Sequence, residues 1–248
     1  MKAQGLAAFG LVVAGLAAVA GEGGHQAHWS YAGNEGPEHW GALEPGYATC
    51  SAGKDQSPID LAHFIEADLP PLTFDYRPGG AALVNNGHAV QVDYAPGSSL
   101  SVDGKSFELK QFHFHAPSEH TVGGKSYPME VHFVHADAQG NLAVVGVLVE
   151  DGAANRLLGL LGAHAPAAAG DKVQQSPPID AADLLPADRD YYRYSGSLTT
   201  PPCSEGVRWL VLKAPIDAAP AEIAAIAKAI GHPNNRPVMP VGARPVLE

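Results

Sequence analysis

A mainly β, single-domain fold is predicted by three features of this 248-residue chain. Short runs that alternate apolar and polar residues recur along it, 28 glycines and 21 prolines punctuate them, and only two segments carry helix boundaries. With 46% hydrophobic side chains the chain can bury a sizeable core, and no repeat, long linker or low-complexity tail divides it.

The elements follow in order. Residues 1–20 hold one basic residue, Lys2, then an uncharged run rich in Ala, Leu, Val and Gly that ends Ala18-Val19-Ala20 before Gly21. That pattern predicts a secretory signal peptide. A membrane anchor is the alternative, but the run is short, interrupted by glycine, and followed by Glu22 rather than a basic stop-transfer flank. The expectation is a periplasmic or secreted protein without stable membrane insertion, its single domain covering 21–248. Trp29, Tyr31, Trp40 and Tyr47 then lie among glycines and prolines with no regular period, which reads as an ordered aromatic-rich coil wrapping a sheet. The clearest strands are 83–84 before the Asn85-Asn86-Gly87 turn, 90–94, 106–114, 130–135, 143–149 and 209–213. Helices are expected at 153–161, with its four leucines, and at 221–230, started by Pro220 and ended by Gly231. Both are short and peripheral.

The formal net charge is −11, and loss of a leader containing Lys2 makes it −12. An acidic chain without a basic cluster argues against nucleic acid or an anionic membrane as partner. The two cysteines, Cys50 and Cys203, are either a bridge or two buried thiols. The exported reading favours the bridge, because an oxidising compartment sustains it.

The chemistry concentrates in Gln111-Phe112-His113-Phe114-His115 and Glu130-Val131-His132. Side chains at i and i+2 of a strand share a face, so His113 and His115 point one way and Phe112 and Phe114 the other. The intervening Pro117, Gly123 and Gly124 suit a return that presents His132 to the same face. Three imidazoles with one position left for water is the arrangement of catalytic zinc, whereas structural zinc closes its shell with four protein ligands. Gln111 and Glu130 each lie two residues before a ligand histidine, placed to hold its second nitrogen. His120 reads as a structural hydrogen-bonding residue. His25, His28, His39, His63, His135, His164 and His232 lack convergent spacing.

Eight segments in order carry a wider pattern. They are His28-Trp29-Ser30-Tyr31, Gly36 to Trp40, Gln56-Ser57-Pro58-Ile59, Asn85-Asn86-Gly87-His88, Gln111 to His115, Ser118-Glu119-His120, Glu130-Val131-His132, and Gly196-Ser197-Leu198-Thr199-Thr200-Pro201-Pro202. Together they resemble an α-class carbonic anhydrase of the exported bacterial kind. The resemblance implies a large twisted, mostly antiparallel central sheet with zinc at the bottom of a conical cleft. It implies reversible hydration of carbon dioxide to bicarbonate and a proton, by zinc-held hydroxide followed by proton shuttling. In it Thr199 accepts from the hydroxide and donates to Glu119, and Thr200 contacts bicarbonate or ordered water. Val134, Val144, Leu198, Val207 and Trp209 match the wall that receives carbon dioxide, and without the resemblance they are simply strand core. His88 matches the proton shuttle; Asn86, Gln91 and Tyr31 match groups that order the relay water.

The chain departs from the family's usual pattern in places. Ala116 stands where many animal members carry tryptophan, Gln91 where asparagine is common, and the loops between strands are shorter. None of these removes a ligand. Two other readings are an esterase side activity at the same site and a non-catalytic zinc-binding scaffold; the intact histidines, Thr199 and Glu119 weigh against the latter. Many exported relatives form dimers, so a homodimer is a further expectation.

Overall fold

The computed structural model describes residues 28–248, so the expected leader and His25 lie outside the described residues. Thirteen strands and four helices follow in order. Helices α1 (Trp40–Leu43) and α2 (Thr49–Ala52) precede strands β1 (Asp60–Leu61), β2 (Thr73–Asp75), β3 (Gly80–Asn85), β4 (Val90–Tyr94) and β5 (Ser99–Val102). Next come β6 (Lys105–His115), β7 (Thr121–Val122), β8 (Met129–Ala136) and β9 (Leu142–Asp151), then α3 (Arg156–His164). The chain closes with β10 (Lys172–Ile179), β11 (Tyr191–Ser197), β12 (Glu205–Leu212), β13 (Ile216–Ala218) and α4 (Pro220–Ile230).

Eleven strands form one sheet, whose long path runs β10-β3-β4-β6-β8-β9-β12-β11. Most pairs are antiparallel; β9 pairs in parallel with β12 and β13. The mainly β expectation and the large sheet are therefore present. Strand β4 matches its expected range, and β6, β8 and β9 extend theirs by one or two residues at each end. Strand β12 begins four residues earlier than expected.

The helices and the amino-terminal region differ in detail. Helix α3 starts three residues later than expected because the Asn155 side chain accepts from the N–H groups of Leu157 and Leu158 and so fixes the N-cap. Helix α4 starts at Pro220 and stops where Gly231 takes φ 89°, a left-handed conformation that suits glycine. The amino-terminal segment is not wholly coil. It folds into α1, α2 and two 3-10 turns, Gly33–Glu35 and Pro45–Tyr47, around a cluster of Trp40, Tyr47, Cys50 and Cys203. Those turns are too short to show a helical period in sequence.

The two faces of the sheet divide the labour. One packs Phe112, Phe114, Val131, Phe133, Val145 and Val147 against Leu157, Leu158, Ile223 and Ile226 of the two longer helices. The other carries the histidines. Strand β6 manages this through a bulge. Phe107 and Leu109 point into the core, yet so do Phe112 and Phe114, of opposite parity. The register against β8 shifts between Leu109 and Gln111, so Lys110 is the extra residue. A one-residue shift exchanges the faces of a strand. Lys110 thereby turns Gln111, His113 and His115 away from the core while the phenylalanines stay within it.

Candidate metal centre and active-site cleft

The β6–β8 register sets His113 directly opposite His132. His113, His115 and His132 offer ligand nitrogens that all lie within 4.8 Å of one another. In each ring the other nitrogen is occupied. His113 Nδ1 donates to Gln111 Oε1 at 2.8 Å, His115 Nδ1 to the Asn234 carbonyl at 2.7 Å, and His132 Nε2 to Glu130 Oε1 at 2.8 Å. The acceptors fix the tautomers, leaving His113 Nε2, His115 Nε2 and His132 Nδ1 with their lone pairs turned to one another.

Burial keeps these imidazoles neutral. It lowers the His113 pKa well below the usual histidine value, helped by His115 and His132, and lowers that of His115 to about 4. His132 is lowered too, again chiefly by burial. Neutral imidazole is the ligand form. His115 Nε2 is buried and has no hydrogen-bond partner among the described residues. A buried polar atom without a partner is costly, and a metal ion would remove that cost. The donor set of three neutral nitrogens and no thiolate fits zinc.

Glu130 braces the cluster. Its Oε1 accepts from His120 Nδ1 and His132 Nε2, and its Oε2 from the backbone N–H groups of Glu119 and His120. Burial would raise this carboxyl, but His120 and His132 outweigh it and hold the pKa well below the usual range. His120 Nε2 in turn accepts from the Tyr194 hydroxyl at 2.7 Å. These bonds account for the second cluster of possible ligand groups, His120, Glu130 and His132. They fit the structural reading of His120.

Glu119 lies beside the histidines. Its Oε1 accepts from the Arg236 N–H at 2.8 Å, and its Oε2 sits 3.5 Å from His115 Nε2 and 3.8 Å from His132 Nδ1 without hydrogen-bond geometry to either. Burial raises its pKa to about 7, against the lowering effects of His132, the Arg236 N–H and the Thr199 side chain. Thr199 itself is 5% exposed; Thr200 is half-buried beside it.

Val144, Val207 and Trp209 belong to one apolar cluster, with Val134 and Leu198 packed against it. The Trp209 ring stands 4.8 Å from that of His132, so this wall adjoins the histidines. Val134 and Val144 face each other across β8 and β9.

His88 follows a turn in which Gly87 takes φ 88°. Its ring stacks on Trp29 at 3.6 Å, and burial, then His28 and His232, lower its pKa. Asn86 spends its side-chain oxygen on the His88 and Ala89 N–H groups, holding that turn. Gln91 sits opposite His113 in the β4–β6 register and donates to Asp93. The Tyr31 hydroxyl is raised well above its usual pKa by burial and then by Glu119.

A disulfide joins Cys50 and Cys203. The sequence reading missed Asn234 and Arg236. Asn234 holds His115 by its carbonyl, while its side chain bonds the Ala116 N–H and the His88 and Phe114 carbonyls. Arg236 is 2% exposed and donates to Gln56, Ser57 and Cys50. Both lie in a stretch without strand or helix, where no periodicity marks a buried residue.

A family model described as eukaryotic-type carbonic anhydrase matches residues 35–248. The chain belongs to the α-carbonic anhydrase family. It is 48% identical to a carbonic anhydrase of Klebsiella pneumoniae over 89% of this chain and 91% of that protein. It is 45% identical to one of Neisseria gonorrhoeae over 96% and 94%. Among solved structures, the α-carbonic anhydrase of Thermovibrio ammonificans in complex with the inhibitor sulfanilamide superposes with a TM-score of 0.88. That match has 50% identity and covers 90% of this chain and all of the other. The family reading from sequence and the mainly β fold therefore stand, and with them the expectation of an enzyme.

Proposed function

We propose that this protein catalyses the reversible hydration of carbon dioxide to bicarbonate and a proton at a zinc ion held by His113, His115 and His132. The observation that carries the proposal is the triad itself, with every second nitrogen fixed and His115 Nε2 unpartnered. Zinc, when bound, supplies the Lewis acidity that makes water a nucleophile near neutral pH, as is established for this enzyme class.

The chain's own residues do the rest. Thr199, giving its proton to Glu119, is left as an acceptor that orients the attacking oxygen. That role requires an ionised Glu119. A dication among the imidazoles would pull its carboxyl down from the raised value that burial alone imposes. Carbon dioxide has little to hydrogen-bond, so the wall of Val134, Val144, Leu198, Val207 and Trp209 holds it by apolar contact. Thr200 contacts the bicarbonate formed. His88 takes the released proton through water; its lowered pKa favours passing the proton on. Gln91, Tyr31 and the free amide of Asn86 order that water.

The same reading places the enzyme outside the cytoplasm, with residues 1–20 removed. The disulfide supports this, since such bonds persist in oxidising compartments. No helix among the described residues is long and apolar enough to cross a membrane.

Stopped-flow hydration of carbon dioxide tests the proposal, with zinc content measured on parent and His132→Ala. The parent should bind one zinc and turn over rapidly, and the variant should lose both. A folded, zinc-replete parent without activity would overturn the assignment.

A further inference from the structure

A second cleft, of about 420 Å³, opens where the starts of β6, β9 and β12 meet β11 and the carboxyl-terminal segment. It shares no lining residue with the histidine cluster. On a chain of net charge −11 it gathers four cations, Lys105, Arg193, Arg208 and Arg244.

Two of these are fully engaged. Arg193 donates to both oxygens of Asp103, at 3.0 and 2.7 Å. Arg244 donates to the Val241, Ser195, Gln56 and Pro240 carbonyls and lies 3.7 Å from Asp55. Arg208 is different. Its Nη1 is a buried atom 3.3 Å from an Asp103 oxygen already taken by Arg193, and it makes no hydrogen bond. Lys105 makes no ion pair among the described residues; Asp137, which also lines the cleft, accepts from the Gln139 and Asn141 N–H groups and the Asn141 side-chain amide, and feels the Lys105 charge. Arg193 and Arg208 thus share one carboxylate, Asp103, and Lys105 has no ion pair, so the lining keeps surplus positive charge even with Asp137 among it.

The rest of the wall is apolar. Phe107 lies under the Arg208 guanidinium at 5.6 Å, and Leu142 and Pro245 continue the surface. A guanidinium that must share Asp103 with Arg193 and leaves one N–H without a hydrogen bond still favours an anion, and a planar one with two acceptor oxygens matches its fork. A one-carbon anion would satisfy the charge yet leave the apolar wall wet. We propose that this cleft binds a small organic carboxylate, its carboxyl group on Arg208 and Lys105 and its apolar body against Phe107 and Leu142. The volume is that of an ordinary small-molecule site. The inference stands independently of the reaction proposed above.

The test is a titration of the metal-loaded chain with benzoate, followed by backbone amide shifts in two-dimensional NMR. Benzyl alcohol supplies the same ring without charge, and acetate the charge without the ring. Benzoate should give saturable shifts at Lys105, Leu142, Gly206 and Arg208, and bind more tightly than either control. Arg208→Gln should weaken it about tenfold or more, the size of one charge-assisted hydrogen bond. Lys105→Gln, at an exposed position that cannot threaten the fold, should weaken it in the same direction. The proposal is overturned if these amides do not saturate, if shifts arise only around the three histidines, or if either control binds as well as benzoate.

Discussion

Thr199 and Glu119 show how much of this site depends on single atoms. Glu119 Oε1 is taken by the Arg236 N–H, and Arg236 is anchored to Gln56, Ser57 and Cys50, so the carboxylate cannot swing away from the histidines. In the proposed mechanism the task left to Thr199 is orientation. Thr199→Ala should lower kcat/KM by about a hundredfold, the usual cost of removing one preorganised polar group at a reacting centre. Zinc content should be unchanged, because among the described residues Thr199 makes no hydrogen bond to the three convergent histidine nitrogens. Thr199→Ser should restore most of the activity, since it keeps the hydroxyl. Loss of zinc in the alanine variant would assign Thr199 to metal retention instead.

At the scale of elements, the bulge at Lys110 decides whether the histidines reach the cleft at all. The sequence carried its signature: apolar residues at 107 and 109, then at 112 and 114, a change of parity within one strand. Read as an uninterrupted strand, 106–114 still placed His113 and His115 correctly, because the relation between residues two apart holds on either side of the bulge. The hairpin to β8 and the roles of Gln111 and Glu130 as brackets were legible for the same local reason. What was not legible depends on distant partners. Strand β11 reads Tyr-Tyr-Arg-Tyr-Ser-Gly-Ser and gains its place only by pairing with β12. Asn234 reaches His115 across 119 residues of chain, which no local pattern can announce. Deleting Lys110 tests the bulge. Restored parity would aim either Phe107 and Leu109 or the histidines at the wrong face, so zinc content and near-ultraviolet circular dichroism should both collapse. A variant that keeps full zinc content would show that the strand can re-form its bulge elsewhere.

Across the whole molecule, burial of titratable groups sets how stability varies with pH. His135 is buried on the core face of β8, its Nδ1 donating to the Ala143 carbonyl and its Nε2 accepting from the Tyr76 hydroxyl at 2.6 Å. Burial lowers its pKa from 6.5 to about 4. The unfolded chain then binds the proton more readily than the folded one, so stability is fully present above pH 6.5 and declines as pH falls toward 4. The loss over that window is about 3 kcal/mol. His135→Gln, which keeps a donor and an acceptor but cannot titrate, should flatten that part of the pH–stability curve. An unchanged curve, measured by urea unfolding, would mean that His135 protonates without cost.

The disulfide acts at the same scale but on the other state. Cys50 and Cys203 are separated by 153 residues, so their bridge closes most of the chain into a loop. By the chain-entropy model such a closure destabilises the unfolded ensemble by about 5 kcal/mol. In the folded state other bonds hold the same two backbones: Gln56 Nε2 donates to the Cys203 carbonyl, and Arg236 Nη2 to the Cys50 carbonyl. The loop carrying Thr199 is therefore held twice. The double variant Cys50→Ala, Cys203→Ala should lose several kcal/mol in denaturant unfolding while its kcat/KM under native conditions stays within a few-fold of the parent. Activity falling in step with stability would mean instead that the bridge, and not the hydrogen bonds of Gln56 and Arg236, sets the position of Thr199.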